Sequence, residues 1–138
     1  MDNGFPTKVL VIDDDKTMSE MLKLVLEPFA FDVFEASTGP DGIEAAKQIK
    51  PEVVILDLLM PDMDGWEVTR SIRAFSQVPI LVLSAVSKPE LVAKALDEGA
   101  DDYLIKPIPN SVLVAHLKRL ARRARAEESG TGKLSIKA

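Results

Sequence analysis

The sequence predicts an α/β fold: a single five-stranded parallel sheet, doubly wound, with helices on both faces. Three observations predict it. Short, solidly apolar runs recur, Val9-Leu10-Val11-Ile12, Val53-Val54-Ile55-Leu56 and Ile80-Leu81-Val82-Leu83, as strands covered on both sides must be. Between them lie stretches whose apolar residues return every three or four positions, the period of a helix that packs one face. The two patterns alternate five times along 138 residues, and parallel strands need crossover helices of that kind.

The first strand, Lys8–Ile12, ends in three consecutive acids, Asp13, Asp14 and Asp15. A helix follows over residues 17–29, with Met18, Met21, Leu22, Val25 and Phe29 expected on its buried stripe. Asp32–Ala36 is shorter and alternates, as an edge strand does. Thr38-Gly39-Pro40 opens a second helix carrying Ile43, Ala46 and Ile49, and Pro51 stops it. The third strand, Val53–Leu56, ends at Asp57. Pro61 and Gly65 punctuate the next loop; Asp64-Gly65 is expected to make a left-handed turn into a third helix that buries Val68, Ile72 and Phe75. Pro79–Leu83 is the fourth strand. A helix over about 88–98 carries Val92, Ala95, Leu96 and Gly99. Asp102–Ile105 is the fifth strand and leads into Lys106-Pro107. The last helix, residues 110–126, carries Leu113, Leu117, Leu120 and Ala124. Right-handed crossovers leave few ways to thread these elements. The expected order is the flavodoxin-like 2-1-3-4-5, which sets the first and third strands side by side where the winding reverses and ligands dock.

Residues 1–126 are expected to form one domain with its core over 8–123. From residue 127 the composition shifts to Glu-Glu-Ser-Gly-Thr-Gly, a linker signature. The alternation in Lys133-Leu134-Ser135-Ile136-Lys137 resembles the opening strand of a further, absent domain. Hydrophobic residues at 46% and charged residues at 28% are ordinary for a globular chain. With no cysteine and one histidine, disulfide frameworks, thiolate metal sites and multi-histidine zinc sites are excluded. No apolar run approaches the ~18 residues of a membrane span, and the opening residues lack a signal-peptide core. The cytoplasm is the expected address. A net charge of −5 makes the chain a poor nucleic-acid binder through its general field.

The carboxyl ends of parallel strands converge on one crevice, and the residues found there carry the chemistry. Asp13, Asp14 and Asp15 follow the first strand, Asp57 the third, Ser84 the fourth and Lys106 the fifth. Carboxylates crowded together resist simultaneous ionisation unless a cation compensates them. Oxygen-only ligation favours Mg²⁺, which takes six oxygens and keeps some waters. Asp57 stands where packing alone would put an apolar residue, and carboxylates serve as nucleophiles that form aspartyl phosphates. Phosphoryl transfer asks a protein mainly for positioning and charge neutralisation. Mg²⁺ on Asp13 and Asp14, the Lys106 ammonium and the Ser84 hydroxyl match that task. Asp15 reads as a helix cap.

Four motifs at these strand ends resemble the receiver domains of two-component response regulators: Val11-Ile12-Asp13-Asp14-Asp15, Ile55 to Gly65, Leu83-Ser84-Ala85 and Gly99 to Pro107. The resemblance runs from about Lys8 to Arg123. It implies a phosphoacceptor at Asp57, charged from the phosphohistidine of a sensor histidine kinase. It implies a metal site in which Asp14 binds Mg²⁺ directly and Asp13 largely through water, with Asp57 and the backbone carbonyl of Leu59 as further ligands. By the same resemblance Ser84 and Tyr103 are the switch pair, and Lys106-Pro107 is a cis peptide. A bistable surface of fourth helix, fifth strand and fifth helix would then pass the signal to an output. The stretch Gly99 to Pro107 is most similar to regulators that form homodimers through that surface and bind DNA through a winged-helix domain, which lies outside this chain. Ala95 and His116 depart from the pattern, standing where those regulators usually carry basic interface residues. Leu59 and Val86 are apolar where they flank the acceptor, so a phosphoryl group on Asp57 is expected to persist.

Other classes fit less well. A haloacid-dehalogenase-type hydrolase wants a second acid two residues after its nucleophile, and Leu59 stands there. A nucleotide- or flavin-binding module needs a glycine-rich loop after the first strand, where acids stand. A receiver that works without phosphorylation would not retain every acceptor residue. The expected protein is therefore a phosphorylatable signalling module that controls an output, transcription among them, rather than a turnover enzyme. The basic run on the last helix, Lys118, Arg119, Arg122, Arg123 and Arg125, reads as a solvated face.

Overall fold

In the computed structural model, which describes residues 5–128, the chain forms five parallel strands and five α-helices in strict alternation. The strands are β1 (Thr7–Ile12), β2 (Phe31–Ala36), β3 (Val53–Leu56), β4 (Ile80–Ser84) and β5 (Asp102–Ile105). The helices are α1 (Lys16–Leu26), α2 (Gly39–Ile49), α3 (Gly65–Arg73), α4 (Pro89–Asp97) and α5 (Asn110–Glu128). The sheet order is β2-β1-β3-β4-β5, every pair parallel, as the sequence predicts. Helix α5 runs two residues past the expected boundary at 126, and residues 129–138 of the expected tail lie outside the described residues.

Alternating side chains of the central strands feed two cores, one on each face. Val9, Val11 and Ile55 join Leu22 and Leu26 of α1 and Leu113, Leu117 and Leu120 of α5. Leu10, Ile12, Val54 and Leu56 join Ala46, Val68, Ile72 and Ala95 of the other three helices. β1 and β3 are buried on both faces, whereas β2 alternates at its edge, in keeping with its pattern.

Four local expectations are corrected. Met21 and Phe29 are each 48% exposed, while Leu26 is fully buried; the inner face of α1 is rotated toward Ser19 and Leu26. Pro28 ends the α-helix, Glu27–Phe29 tightens into a 3₁₀ turn, and the Phe29 ring turns outward beneath the Lys118 ammonium. Phe75 lies beyond α3 and is exposed, with the Lys47 ammonium 5.2 Å from its ring centre. On α4 it is Ala95 and the half-buried Leu91 that face inward, and Leu96 points out.

The fourth correction concerns Asp64-Gly65. Asp64 is an extended N-cap whose carboxylate accepts the Glu67 N–H at 2.8 Å, and Gly65 does not adopt the left-handed conformation. Its side-chain hydrogen is needed for a different reason. A Cβ there would lie 2.7 Å from both the Asp57 carbonyl oxygen and the Leu58 Cα, so α3 starts in backbone contact with the end of β3. Gly99, at φ 118°, does use the left-handed region. Its carbonyl accepts from Arg73 Nε at 3.0 Å, and Arg73 also reaches Asp101 Oδ2 at 2.6 Å and the Ser76 carbonyl at 3.1 Å. Asp101 Oδ2 accepts the Ile80 N–H as well, so one guanidinium ties the end of α3 to the entries of β4 and β5. Burial pulls the Arg73 guanidinium below its ordinary value, against the Asp101 charge that raises it.

Candidate functional site

Strand register assembles the crevice. β1 pairs Ile12 with Leu56 of β3, so Asp13 and Asp57 leave the sheet side by side. Ladder bonds continue past both ends, from Asp13 N–H to the Ala36 carbonyl (3.1 Å) and from Asp57 N–H to the Ile12 carbonyl (3.0 Å). β4 pairs Ser84 with Ile105 of β5, and the Lys106 N–H donates to the Ser84 carbonyl at 2.9 Å. Lys106 thereby follows β5 into the same edge, and its bond to Pro107 is cis.

Lys106 Nζ lies 3.4 Å from Asp13 Oδ2 and 3.4 Å from Asp57 Oδ2, bridging the two carboxylates. Asp14 completes the group: carboxylate oxygens of Asp13, Asp14 and Asp57 lie within 4.8 Å of one another. Asp13 is almost fully buried, Asp57 half-buried and Asp14 exposed, so the cluster opens to solvent on one side. Burial above all, and then the neighbouring Asp57 charge, pushes the Asp13 carboxyl above its ordinary value; the Asp15 N–H and Lys106 oppose the rise. One ammonium, bridging two of three clustered carboxylates, leaves negative charge over. An all-oxygen donor set with that surplus fits a hard divalent cation. Asp15 turns away from the cluster and caps α1, accepting the Met18 N–H at 3.2 Å.

The remaining expected residues surround this group. The Leu59 N–H donates to Asp57 Oδ1 at 3.3 Å, which fixes that carboxylate, while the Leu59 side chain is 57% exposed. Ser84 is fully buried and its Oγ accepts the Val86 N–H at 3.3 Å. The Tyr103 hydroxyl donates to the Val86 carbonyl, so the two residues grip Val86 from its two ends. Burial raises the Tyr103 phenol above its ordinary value, a hydrogen bond with Ser84 lowers it, and the Asp57 charge raises it. The Val86 contact was not legible in the sequence, because a backbone group carries it.

A family model described as the response regulator receiver domain matches residues 9–118. The chain belongs to that family. Among curated relatives of this receiver, the DNA-binding response regulator MtrA of Mycolicibacterium smegmatis is 40% identical over 129 residues, which span 94% of this chain and 56% of MtrA. The KDP operon transcriptional regulatory protein KdpE of Escherichia coli is 44% identical over 117 residues, 85% of this chain and 52% of KdpE. Among solved structures, a two-component response regulator from Clostridium difficile superposes with a TM-score of 0.82 at 32% identity, covering 85% of this chain and 97% of that one. The receiver spans about half the length of the curated relatives it matches.

Two further surfaces outside the crevice tie elements together. The Trp66 indole N–H donates to the Leu91 carbonyl at 3.1 Å, with the Lys94 ammonium 5.0 Å from the ring centre, so Trp66 joins α3 to α4. The basic helix is only partly a solvated face. Arg119 and Arg123 pair with Asp102 and Asp101 at 2.9 and 2.6 Å, Arg125 pairs with Glu52 at 2.6 Å, and His116, half-buried, meets Asp102. Among the described residues no helix is long and apolar enough to cross a membrane.

Proposed function

We propose that this receiver accepts a phosphoryl group on Asp57 from the phosphohistidine of a sensor histidine kinase, in a Mg²⁺-dependent reaction, and thereby controls an output. An Asp57 carboxylate oxygen attacks phosphorus, the P–N bond to the donor breaks, and the imidazole leaves with the bonding pair. Asp13, Asp14, Asp57 and the Leu59 carbonyl would hold Mg²⁺, which when bound neutralises phosphoryl oxygens. Lys106 already faces Asp57 and supplies a second positive charge to the same group. Ser84 accepts from Val86 and would turn its hydroxyl proton from Tyr103 toward a phosphoryl oxygen. The chain is consumed as an acceptor and does not turn over a substrate. One observation carries this proposal: a single lysine ammonium touches two carboxylates while a third lies within 4.8 Å. Intact mass after treatment with a small phosphodonor tests it. Wild type should gain one phosphoryl group with Mg²⁺ and none without it, and Asp57→Asn should gain none. Phosphate on the Asp57→Asn protein would sink the assignment.

The apolar Leu59 beside the acceptor leads to a kinetic prediction. With no polar side chain there to orient water, the phosphorylated form should outlast that of a Leu59→Asn variant, and decay followed by mass spectrometry reads the difference directly. Equal half-lives would end that account.

Transmission is proposed through α4, β5 and α5. Each presents an exposed apolar side chain, Leu96, Ile105 and Val112 respectively, and β5 and α5 are joined by the pairs of Asp102 with His116 and Arg119. Ala95, by contrast, is fully buried and unavailable to a partner. A homodimer across this face, favoured when Asp57 is phosphorylated, would bring two output domains onto DNA. Light scattering of the phosphorylated chain at several concentrations checks it; a monomer at every concentration excludes it.

A further inference from the structure

The five basic residues of α5 are not equivalent. Arg119 and Arg123 lie one helical turn apart and both pair with aspartates of β5 or its entry. Lys118, Arg122 and Arg125 follow an i, i+4, i+7 row about 100° around the helix axis. That second row borders an open groove of about 710 Å³ at the amino-terminal edge of the sheet, opposite the phosphorylation crevice. Phe31, nearly buried, forms its floor, and Phe29 and Phe5 stand on its walls at 48% and 71% exposure. Among the described residues, no carboxylate lines it. Within this row Arg125 forms an ion pair with Glu52, and Lys118 lies over the Phe29 ring at 5.2 Å.

We infer that this groove binds an acidic segment of a partner protein whose apolar side chain enters between Phe29 and Phe5 while its carboxylates meet Lys118 and Arg122. Charge complementarity carries the choice. On a chain of net charge −5, a surface bordered by cations, with no acid among the described residues that line it, selects against the surrounding field for an anionic partner. The exposed phenyl rings favour a peptide over a nucleic-acid backbone, which would present phosphates with nothing apolar to fill the groove. Aromatic anchors inside a charged rim are also how short peptides gain most of their affinity. The groove lies away from Asp57, so occupancy neither requires nor blocks phosphoryl transfer.

The probe is a fluorescein-labelled twelve-residue peptide alternating glutamate with leucine and phenylalanine, titrated against the whole chain. Saturable anisotropy, with amide shifts in a ¹⁵N spectrum centred on Phe29, Ala30, Lys118 and Arg122, is expected. Lys118→Glu with Arg122→Glu should weaken binding at least tenfold with an unchanged circular dichroism spectrum, and glutamine in place of the peptide's glutamates should do the same. Phe29→Ser provides an independent loss from the apolar side, and Arg119→Gln, in the paired row, should change affinity less than twofold. The inference is overturned by absent saturation, by shifts on another face, by indifference to either charge change, or by duplex DNA occupying the groove where the peptide does not.

Discussion

Mg²⁺ at about a hundred times its dissociation constant is expected to raise the unfolding free energy by about 2.7 kcal/mol, since a ligand bound only by the native state stabilises it by mass action. The physical source is the crowding of Asp13, Asp14 and Asp57, which Lys106 alone does not neutralise. Urea titrations with and without Mg²⁺ measure it, and Asp13→Asn should erase most of the increment. The pH dependence has a definite sign. The folded Asp13 carboxyl titrates above its ordinary 3.8, so the metal-free fold holds that proton more tightly than the unfolded chain does. Its contribution to stability is present below 3.8 and disappears as pH rises through the folded value. Mg²⁺ must displace the same proton, so its stabilising effect should shrink on acidification, starting above the usual carboxylate range. An increment equal in wild type and Asp13→Asn would place the ion elsewhere.

Gly65→Val is expected to destabilise the metal-free protein by roughly 3 kcal/mol, the upper part of what overpacking usually costs. Even a Cβ at this position meets the Asp57 carbonyl oxygen and the Leu58 Cα at 2.7 Å, and both belong to backbone that cannot swing aside. Either α3 moves off the end of β3, or the segment carrying Asp57 shifts. The proposed phosphorylation by a small donor should therefore slow as well, because the neighbours of Asp57 are displaced. Denaturant midpoints and the initial rate of mass gain check the two effects separately. A change within about 0.5 kcal/mol, the range of an ordinary surface substitution, would show that α3 starts with room to spare.

The fold and most of the crevice were legible because their signals are local or follow from register. Val53–Leu56 can only be a strand covered on both faces, and once β1 and β3 are neighbours, Asp13 and Asp57 have to emerge together. Lys106 and Ser84 were legible for the same reason, one at each of two further strand ends. What was lost depends on rotation and on distant partners. A shift of α1 about its axis exchanges Met21 for Leu26 at the core without altering the spacing of its apolar residues. Asp64-Gly65 has the composition of a left-handed turn, yet the glycine is required by a backbone 7 residues earlier in the chain, Leu58. The pairs that claim Arg119 and Arg123 join α5 to acids 17 and 22 positions away, and no pattern within the helix announces them.

Val86 is held at its amide nitrogen by Ser84 and at its carbonyl oxygen by Tyr103. Those two atoms sit in successive peptide planes, so valine carrying ¹⁵N at the amide and ¹³C at the carbonyl carbon offers a pair of separate spectroscopic channels at Val86. The nitrogen resonance would register the serine and the carbonyl resonance the tyrosine. Under the proposed phosphorylation of Asp57, their relative timing after a phosphodonor is added would tell whether either contact breaks, and which first.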